Sequence, residues 1–519
     1  MKNVTLISTY PNIYANGLRT LSACLKVKGF NTKIIFVPNP SGRLYEARVL
    51  RGVIDFSVGS DLIGISLMTN FFKNSIQITQ ELKKNLTIPI VWGGVHPTVN
   101  PLECLDYVDM ICLGEGEETL MELVTKISRS EDCYNILGMW FKKKGKIIDN
   151  QLRPLIQNLD KIPYQDFDCD SHYMVSERYT GKMNEDFLKV EMKGHYVVTA
   201  TRGCPFGCSY CLNNMLNKMY PNQKWVRKRS ISNIIGELET IKNKFSFIDR
   251  FQFDDDAFMM YSKEELVDFA KEYKKLIKLP LHITGVAPST VNKEKLAILV
   301  EAGLKHVRMG IQTANEPTKK LYKRYDSNQQ VEKAVSVIDY FKDQIRSIEY
   351  DIILDNPWET DTGLVETLMF LARLPTPYIL ALYSLTFFPG TELYGKAKRE
   401  GLIGNDSNDL YSKNYSYCKE TYLNRLFFLL KQYALHGPGI NPWVMFLLTN
   451  NKLRKLRVSS IIYWILKLLG VSIPIIFVPK ILVTKGLRSV YRGDFSRITS
   501  FIKKELLLVL MIPRKLFKS

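Results

Sequence analysis

Three of the chain's nine cysteines fall within eight positions, in the stretch TATRGCPFGCSYCLNN at residues 199–214. Cys204, Cys208 and Cys211 have the spacing C-x3-C-x2-C. Three thiolates in one short loop can hold a metal, and their number narrows which one. A tetrahedral structural zinc site wants four ligands, usually in two pairs. No fourth is at hand: the histidines are at 96, 172, 195, 282, 306 and 436, and His195 begins the strand that leads to the loop, at the end remote from it. A cubane 4Fe–4S cluster is normally held by four thiolates. Held by three, it keeps one iron open to a substrate or cofactor, as a catalytic cluster requires and a purely electron-carrying one does not. Three incidental cysteines are the bland alternative, and clustering beside Gly203, Pro205 and Gly207 argues against it.

Something must position that loop. The first 150 residues alternate strands and helices: VTLIS (4–8), a helix at 16–29, then TKIIFVP (32–38), LIGISL (62–67), PIVWGG (89–94) and MICLG (110–114), with helical segments such as 71–85 between the later ones. The strands are almost continuously apolar, as parallel strands covered on both faces are. A five-stranded, doubly wound, Rossmann- or flavodoxin-like parallel sheet is expected, and such sheets bind ligands at the carboxyl ends of their strands. The loops there are STYPN (8–12), SLMTN (66–70), GGVHP (93–97) and GEGEE (114–118). Gly93, Gly94, Gly114 and Gly116 would admit close approach of a flat or phosphate-bearing ligand, or simply make tight turns. Residues 151–190 lose periodicity, carry Pro154 and Pro163, and read as a linker. A second alternation has strands at 195–200, 250–255, 281–286, 306–311, 348–354 and 378–385, and helices at 230–244, 263–277, 292–302, 329–342 and 362–373. Six such units predict a partial (β/α)6 TIM-like barrel over 191–405, whose chemistry belongs at the C-terminal ends of the strands. The cysteine loop follows the first strand and so falls at that mouth.

The formal charge of +19 is unevenly spread: residues 420–519 hold 17 Lys and Arg against 3 Asp and Glu, and the rest of the chain carries an ordinary balance. Within that basic, mostly helical 406–519 region, residues 458–483 are mostly apolar with only Lys467 and Lys480 charged, and 500–518 repeat the apolar-plus-basic mixture. Length alone permits a membrane span, but Pro474 and Pro479 interrupt it. Two readings stand: a monotopic anchor with Lys and Arg toward anionic lipid, or a helical region packed on the barrel. The Leu and Ile content argues against nucleic acid. The amino-terminal MKNVTLISTYPN is strand-like rather than a signal peptide. The other cysteines are scattered, which suits a reducing cytoplasm, with the inner membrane face as the anchor's address.

The spacing C-x3-C-x2-C, with aromatic Tyr210 before the last cysteine and a first barrel strand before the loop, resembles the radical S-adenosylmethionine enzymes. FQFDDDAF (251–258), GIQTANEPTKKLYKR (310–324), DIILDNPWET (351–360) and FFPGTELY (387–394) resemble later landmarks of that family, and GISLMTN, WGGVHPT and GEGEETL resemble the cobalamin-binding domain fused to one branch of it. The resemblance covers roughly residues 1–405. It implies that Cys204, Cys208 and Cys211 ligate a 4Fe–4S cluster whose open iron chelates S-adenosylmethionine and cleaves it to a 5′-deoxyadenosyl radical. It further implies that Tyr210 packs near the adenine, that Asp254, Asp255 and Asp256 contact the methionyl ammonium or orient the cluster edge, and that Gln312, where many members have Glu, reaches the ribose or methionyl group. Cobalamin is the implied second cofactor: Ser66, Gly93 and Gly94 would line the channel for its tail, with Glu115, Gly116 and Glu117 flanking it. The loop STYPNIYANG lacks the histidine that other cobalamin domains use as the lower axial ligand. The implied activity is methylation of an unactivated carbon of a hydrophobic or lipid-like small molecule, served by an external electron donor such as flavodoxin or ferredoxin. Alternatives are a cyclase or oxidoreductase of the same branch with a degenerate cobalamin domain, and a non-catalytic iron–sulfur protein.

Overall fold

The amino-terminal apolar runs form five short parallel strands: β1 (Asn3–Ser8), β2 (Asn31–Phe36), β3 (Leu62–Ser66), β4 (Ile90–Gly93) and β5 (Met110–Cys112). Ile7 pairs in register with Ile35 on one side and Ile65 on the other, all three buried. The architecture is that of a computed structural model, describing residues 3–39, 43–404, 410–411, 413, 415–437, 439–455 and 461–465. The five strands lie in the order β5-β4-β3-β1-β2, the doubly wound arrangement expected.

The sheet does not stop there. A hairpin, β6 (Met139–Lys143) and β7 (Lys146–Asp149), adds antiparallel to β5. At the opposite edge β8 (His172–Val175) pairs parallel to β2 and β9 (Thr180–Lys182) antiparallel to β8, giving nine strands. Within the segment 151–190, read as a linker, residues 172–175 and 180–182 are therefore part of the sheet. A buried arginine explains why. Arg19 donates to the Ile13 and Asp166 carbonyls at 2.9 and 2.7 Å, with its guanidinium 3.8 Å from the Phe167 ring centroid. Ser22 donates to the Asp166 carboxylate at 2.6 Å, and Lys26 pairs with it at 2.8 Å. Each partner lies far from Asp166 in sequence, so no local periodicity announces the tie.

The second sheet contains β10 (His195–Val198), β13 (Arg250–Phe253), β14 (Leu281–Val286), β15 (Leu304–Gln312), β16 (Ser347–Leu354) and β17 (Ile379–Ser384). All six are parallel and neighbour one another in sequence order, as the partial barrel requires. Between β10 and β13, a two-residue antiparallel ribbon of β11 (Thr201–Arg202) and β12 (Arg227–Lys228) closes the base of the cysteine loop. The crossover helices begin on side-chain caps. Ser230 accepts from Asn233 N–H, so the helix expected at 230–244 starts at Ile231. Ser262 and Glu265 form a reciprocal capping box at the start of Lys263–Glu272. The helix expected to run to 277 instead ends at Glu272 and continues as a π turn, Tyr273–Ile277.

By contact density the chain divides into two units: residues 1–367 with 378–420, and residues 368–377 with 421–519. The nine-stranded sheet and the barrel share the first. The second contains helices Tyr422–His436, Pro442–Thr449 and Asn451–Lys455, with Leu426, Phe427, Leu430 and Met445 buried. Among the described residues no helix is long and apolar enough to cross a membrane. The apolar segment 458–483 lies mostly, and 500–518 entirely, outside the described residues.

Candidate active site

The cysteine loop leaves the carboxyl end of β10 through a turn that only glycine fits. Gly203 has φ +86°, and a Cβ there would stand 2.3 Å from the Trp225 carbonyl oxygen. Cys208 is 6% exposed, while Cys204 and Cys211 are half-buried. The Cys211 N–H donates to the Cys208 carbonyl at 3.2 Å, folding the second spacer into a turn. Among the described residues no three His, Cys, Asp or Glu side chains are disposed to hold one metal ion. In a cubane each thiolate serves a different iron, so its three sulfurs need not converge on one point. Burial pushes the Cys204 thiol up to about 12 and the Cys211 thiol up to about 11. Both are neutral at pH 7 in the bare protein, and bonding to iron is what would hold them as thiolates. The donor set fits a three-ligand cluster.

The three aspartates after β13 have three separate employments. Asp255 is 3% exposed. Its carboxylate accepts from the N–H groups of Ala200 (2.6 Å), Thr201 (2.7 Å) and Ala257 (3.1 Å) and from the Thr201 hydroxyl. Burial pushes it up to about 6, against the pull of those donors. Its acceptor positions face the protein: of the two roles expected, ligand contact or orienting the cluster edge, this geometry suits the second, since it straps the exit of β10, where the loop departs, to the exit of β13. Asp254 and Asp256 are exposed. Asp254 accepts from the Thr284 hydroxyl at 3.0 Å, and Asp256 from the Asn213 amide, two residues past Cys211, at 2.8 Å.

Tyr210 packs edge-on to Tyr322, centroids 5.0 Å apart, beside buried Ile353, Leu385 and Leu393. Gln312 ends β15 in the left-handed region, φ +70°, just after a bulge. Its amide nitrogen folds back over Gly310, 2.5 Å from where a Cβ would sit.

A cavity of about 450 Å³ lies where the two halves of the first unit meet. Ser66, Gly93, Gly94, Glu115 and Gly116 all line it from the carboxyl ends of β3, β4 and β5. Arg202, Gly203 and Trp225, from the base of the cysteine loop, line it from the barrel side. At Gly94, φ +99°, a Cβ would meet the Leu67 carbonyl oxygen at 2.9 Å; at Gly114 it would lie 2.0 Å from the Tyr220 hydroxyl. No histidine is among the lining residues. Glu115 flanks the cavity but its carboxylate is engaged: it accepts from Arg202 at 3.0 Å, Arg227 at 2.9 Å and the Ile156 N–H at 2.9 Å. Burial alone would raise its pKa, yet the two arginines hold it below the ordinary range. Glu117 pairs with the other face of Arg202 at 2.5 Å. These two glutamates therefore bolt the amino-terminal sheet to the loop base, a role their adjacency to glycine did not suggest.

Sequence reasoning missed several lining residues. The Asn16 Oδ1, Gln165 Oε1 and Trp225 Nε1 atoms are buried without a hydrogen-bond partner, and all three residues line the cavity. Gln165 comes from the segment read as a linker, and none of the three belongs to a recognisable spacing. Orphaned buried polar groups cost about 1–3 kcal/mol each. Three around one space are what a polar-edged ligand such as cobalamin, whose ring carries carboxamides, would satisfy.

Residues 198–371 match the Radical SAM superfamily, and residues 2–124 match the B12 binding domain. An uncharacterized methyltransferase of Pyrococcus horikoshii is 29% identical over 66% of this chain and 70% of its own length. The anaerobic magnesium-protoporphyrin IX monomethyl ester cyclase of Rubrivivax gelatinosus is 25% identical over 67% of this chain and 60% of its own. In fold, the chain is similar to the radical S-adenosylmethionine methyltransferase TsrM from Kitasatospora setae, solved with cobalamin and a [4Fe–4S] cluster bound: TM-score 0.60, 18% identity, 77% of this chain and 75% of that one. The fold and the cysteine loop define a radical S-adenosylmethionine enzyme. This one carries an amino-terminal cobalamin-binding domain, and its cofactors are a 4Fe–4S cluster, S-adenosylmethionine and cobalamin.

Proposed function

We propose that the chain methylates an unactivated carbon of a small molecule by way of cobalamin. One observation carries this reading: a single cavity is lined both by the ligand-binding edge of the amino-terminal sheet and by the base of the cysteine loop, so two cofactors would share one reaction space. When bound, the cluster and S-adenosylmethionine supply a carbon-centred radical and cobalamin supplies a methyl carrier. The chain's own residues bind, orient and shield. Gly93 and Gly94 present bare backbone to the cofactor tail, with Ser66 as a hydroxyl donor. Asn16 and Gln165 accept from, and Trp225 donates to, the carboxamide rim. No histidine lines the cavity, so the residues that would hold cobalamin there offer it no imidazole. Asp254 and Asp256 attract the methionyl ammonium, Tyr210 borders the adenine, and Gln312 reaches the ribose. Reduction requires an external one-electron donor of the flavodoxin or ferredoxin type. The basic carboxyl-terminal region supports peripheral contact with anionic membrane and hence a lipid-like substrate.

A second reading, ring closure, is favoured by the relative that is a cyclase. The two separate on products. Anaerobically reconstituted enzyme, supplied with cobalamin, reductant and S-adenosylmethionine, should form S-adenosylhomocysteine and 5′-deoxyadenosine, both rising with substrate. 5′-Deoxyadenosine alone would favour the cyclase reading; neither product from fully reconstituted protein would overturn both.

A further inference from the structure

The residue between two cluster ligands' turns is gripped from outside by two helices. Ser209, next to Cys208, donates its N–H to the Tyr322 carbonyl at 3.0 Å and its hydroxyl to the Leu321 carbonyl at 2.5 Å. Its own carbonyl accepts from the Leu393 N–H at 3.1 Å. These partners are the carboxyl end of helix Glu316–Tyr322 and the first turn of helix Glu392–Arg399. Their outer surface is thus tied to the cysteine loop by three hydrogen bonds.

That surface is basic and continuous. Glu392 stands at its centre: one carboxylate oxygen takes Lys218 and the other Lys323, both at 2.6 Å. Asn214 joins Glu392 to the Gly207 carbonyl within the cysteine loop, at 3.3 and 3.2 Å. Lys396 and Arg399 follow Glu392 at helical spacing on its own face, and Lys320 precedes Lys323 by one turn. Lys320, Arg399 and both centre lysines are exposed, and Tyr325 is 82% exposed beside them. The acids on the face are Glu392, Glu400, which pairs with Lys396, and Glu316, which lies one turn before Lys320 and pairs with the buried Lys319. Five exposed or half-exposed bases against three acids leave the face net positive around an exposed aromatic.

We propose that this face docks an acidic one-electron carrier protein, and that the electron enters through the hydrogen bonds that Ser209 makes to the two helices and then along the peptide bond that joins Ser209 to Cys208. The inference rests on the cluster assignment above. In the transfer, the donor's flavin hydroquinone is oxidised by one electron and the cluster is reduced by one. Opposite charge raises the encounter rate and fixes orientation, and both effects weaken as salt shortens the Debye length to about 8 Å.

The test uses the full chain with a reconstituted cluster and measures the rate of cluster reduction at low and high salt. The reductant is either flavodoxin hydroquinone or dithionite, which needs no docking. In Lys320→Glu/Arg399→Glu the flavodoxin rate should fall about tenfold at low salt, the lower edge of electrostatic steering effects, and wild type should lose most of its advantage at high salt. The dithionite rate should not change, and a remote Lys333→Glu control should behave as wild type. Lys218→Gln/Lys323→Gln should show a smaller loss in the same direction. An unaltered flavodoxin rate in the double reversal would overturn the proposal. So would a reversal that abolishes binding to anionic phosphatidylserine vesicles while sparing reduction, since the face would then belong to a membrane. A protein that dithionite cannot reduce would instead overturn the cluster assignment, so the two failures are separable.

Discussion

Replacing Asp255 by alanine tests the strap at the root of the cysteine loop. The carboxylate accepts from three backbone N–H groups and one hydroxyl, all at a residue 3% exposed. Each buried donor left without a partner costs about 1–3 kcal/mol. The Thr201 hydroxyl can rotate to another acceptor, and the vacated volume admits water to part of the remainder, so the loss should be about 3–5 kcal/mol. That is a large share of an ordinary stability of about 5–15 kcal/mol. Asp255→Asn keeps one acceptor oxygen but turns an N–H group toward donors, so its loss should fall between those of alanine and wild type. Asp254→Ala, at an exposed carboxylate with one hydroxyl partner, should cost no more than about 1 kcal/mol. Urea denaturation of the apo protein gives the stabilities, and iron per chain after anaerobic reconstitution gives the functional consequence. Asp255→Ala should retain little iron because the β10 exit no longer holds its geometry. If Asp255→Ala unfolds within about 1 kcal/mol of wild type and takes up a full complement of iron, the carboxylate is not a strap and the reasoning is wrong.

Three further outcomes are expected. Gly94→Val, at φ +99° with the Leu67 carbonyl 2.9 Å from the added Cβ, should abolish cobalamin binding seen by absorbance titration while leaving iron content near wild type, because the cysteine loop is untouched. Cys24→Ala should leave iron unchanged, whereas alanine at Cys204, Cys208 or Cys211 should remove it. His282 and His306 lie with ring centroids 5.2 Å apart and tilted by 40° in the barrel, and burial lowers both pKa values to about 4. Because the unfolded chain titrates near 6.5, it binds protons first, so their contribution to stability is complete above pH 6.5 and is lost as pH falls toward 4. Asp255 and Glu359, raised to about 6 and about 7 by burial, act in the opposite sense. The histidine term is therefore read as the difference in melting temperature between wild type and His282→Gln/His306→Gln, a difference that should change between pH 7 and pH 5.

Local chemistry made much of this protein legible. Cysteine spacing is a local property, since C-x3-C-x2-C in a glycine-bearing loop needs no distant partner to describe its donor set. The apolar strand runs are local too, and they returned five parallel strands in the expected order and six in the barrel. Ser66, Gly93, Gly94, Glu115 and Gly116 share one cavity because all five stand at strand ends, which are readable in sequence. What tertiary structure alone decided is which side chain faces which. FQFDDDAF shows three equivalent carboxylates; only the closure of β10 against β13 turns Asp255 inward onto four donors and leaves Asp254 and Asp256 outside. GEGEE shows acids beside glycine; only the approach of Arg202 and Arg227 makes Glu115 a bolt. Residues 151–190 show no period, because β8 and the edge strand β9 are short and their segment is held by Arg19 and Lys26 from more than a hundred residues away. Sequence specifies each residue's chemistry and its local twist. A buried charge or amide takes its role from partners that only chain-distant packing delivers.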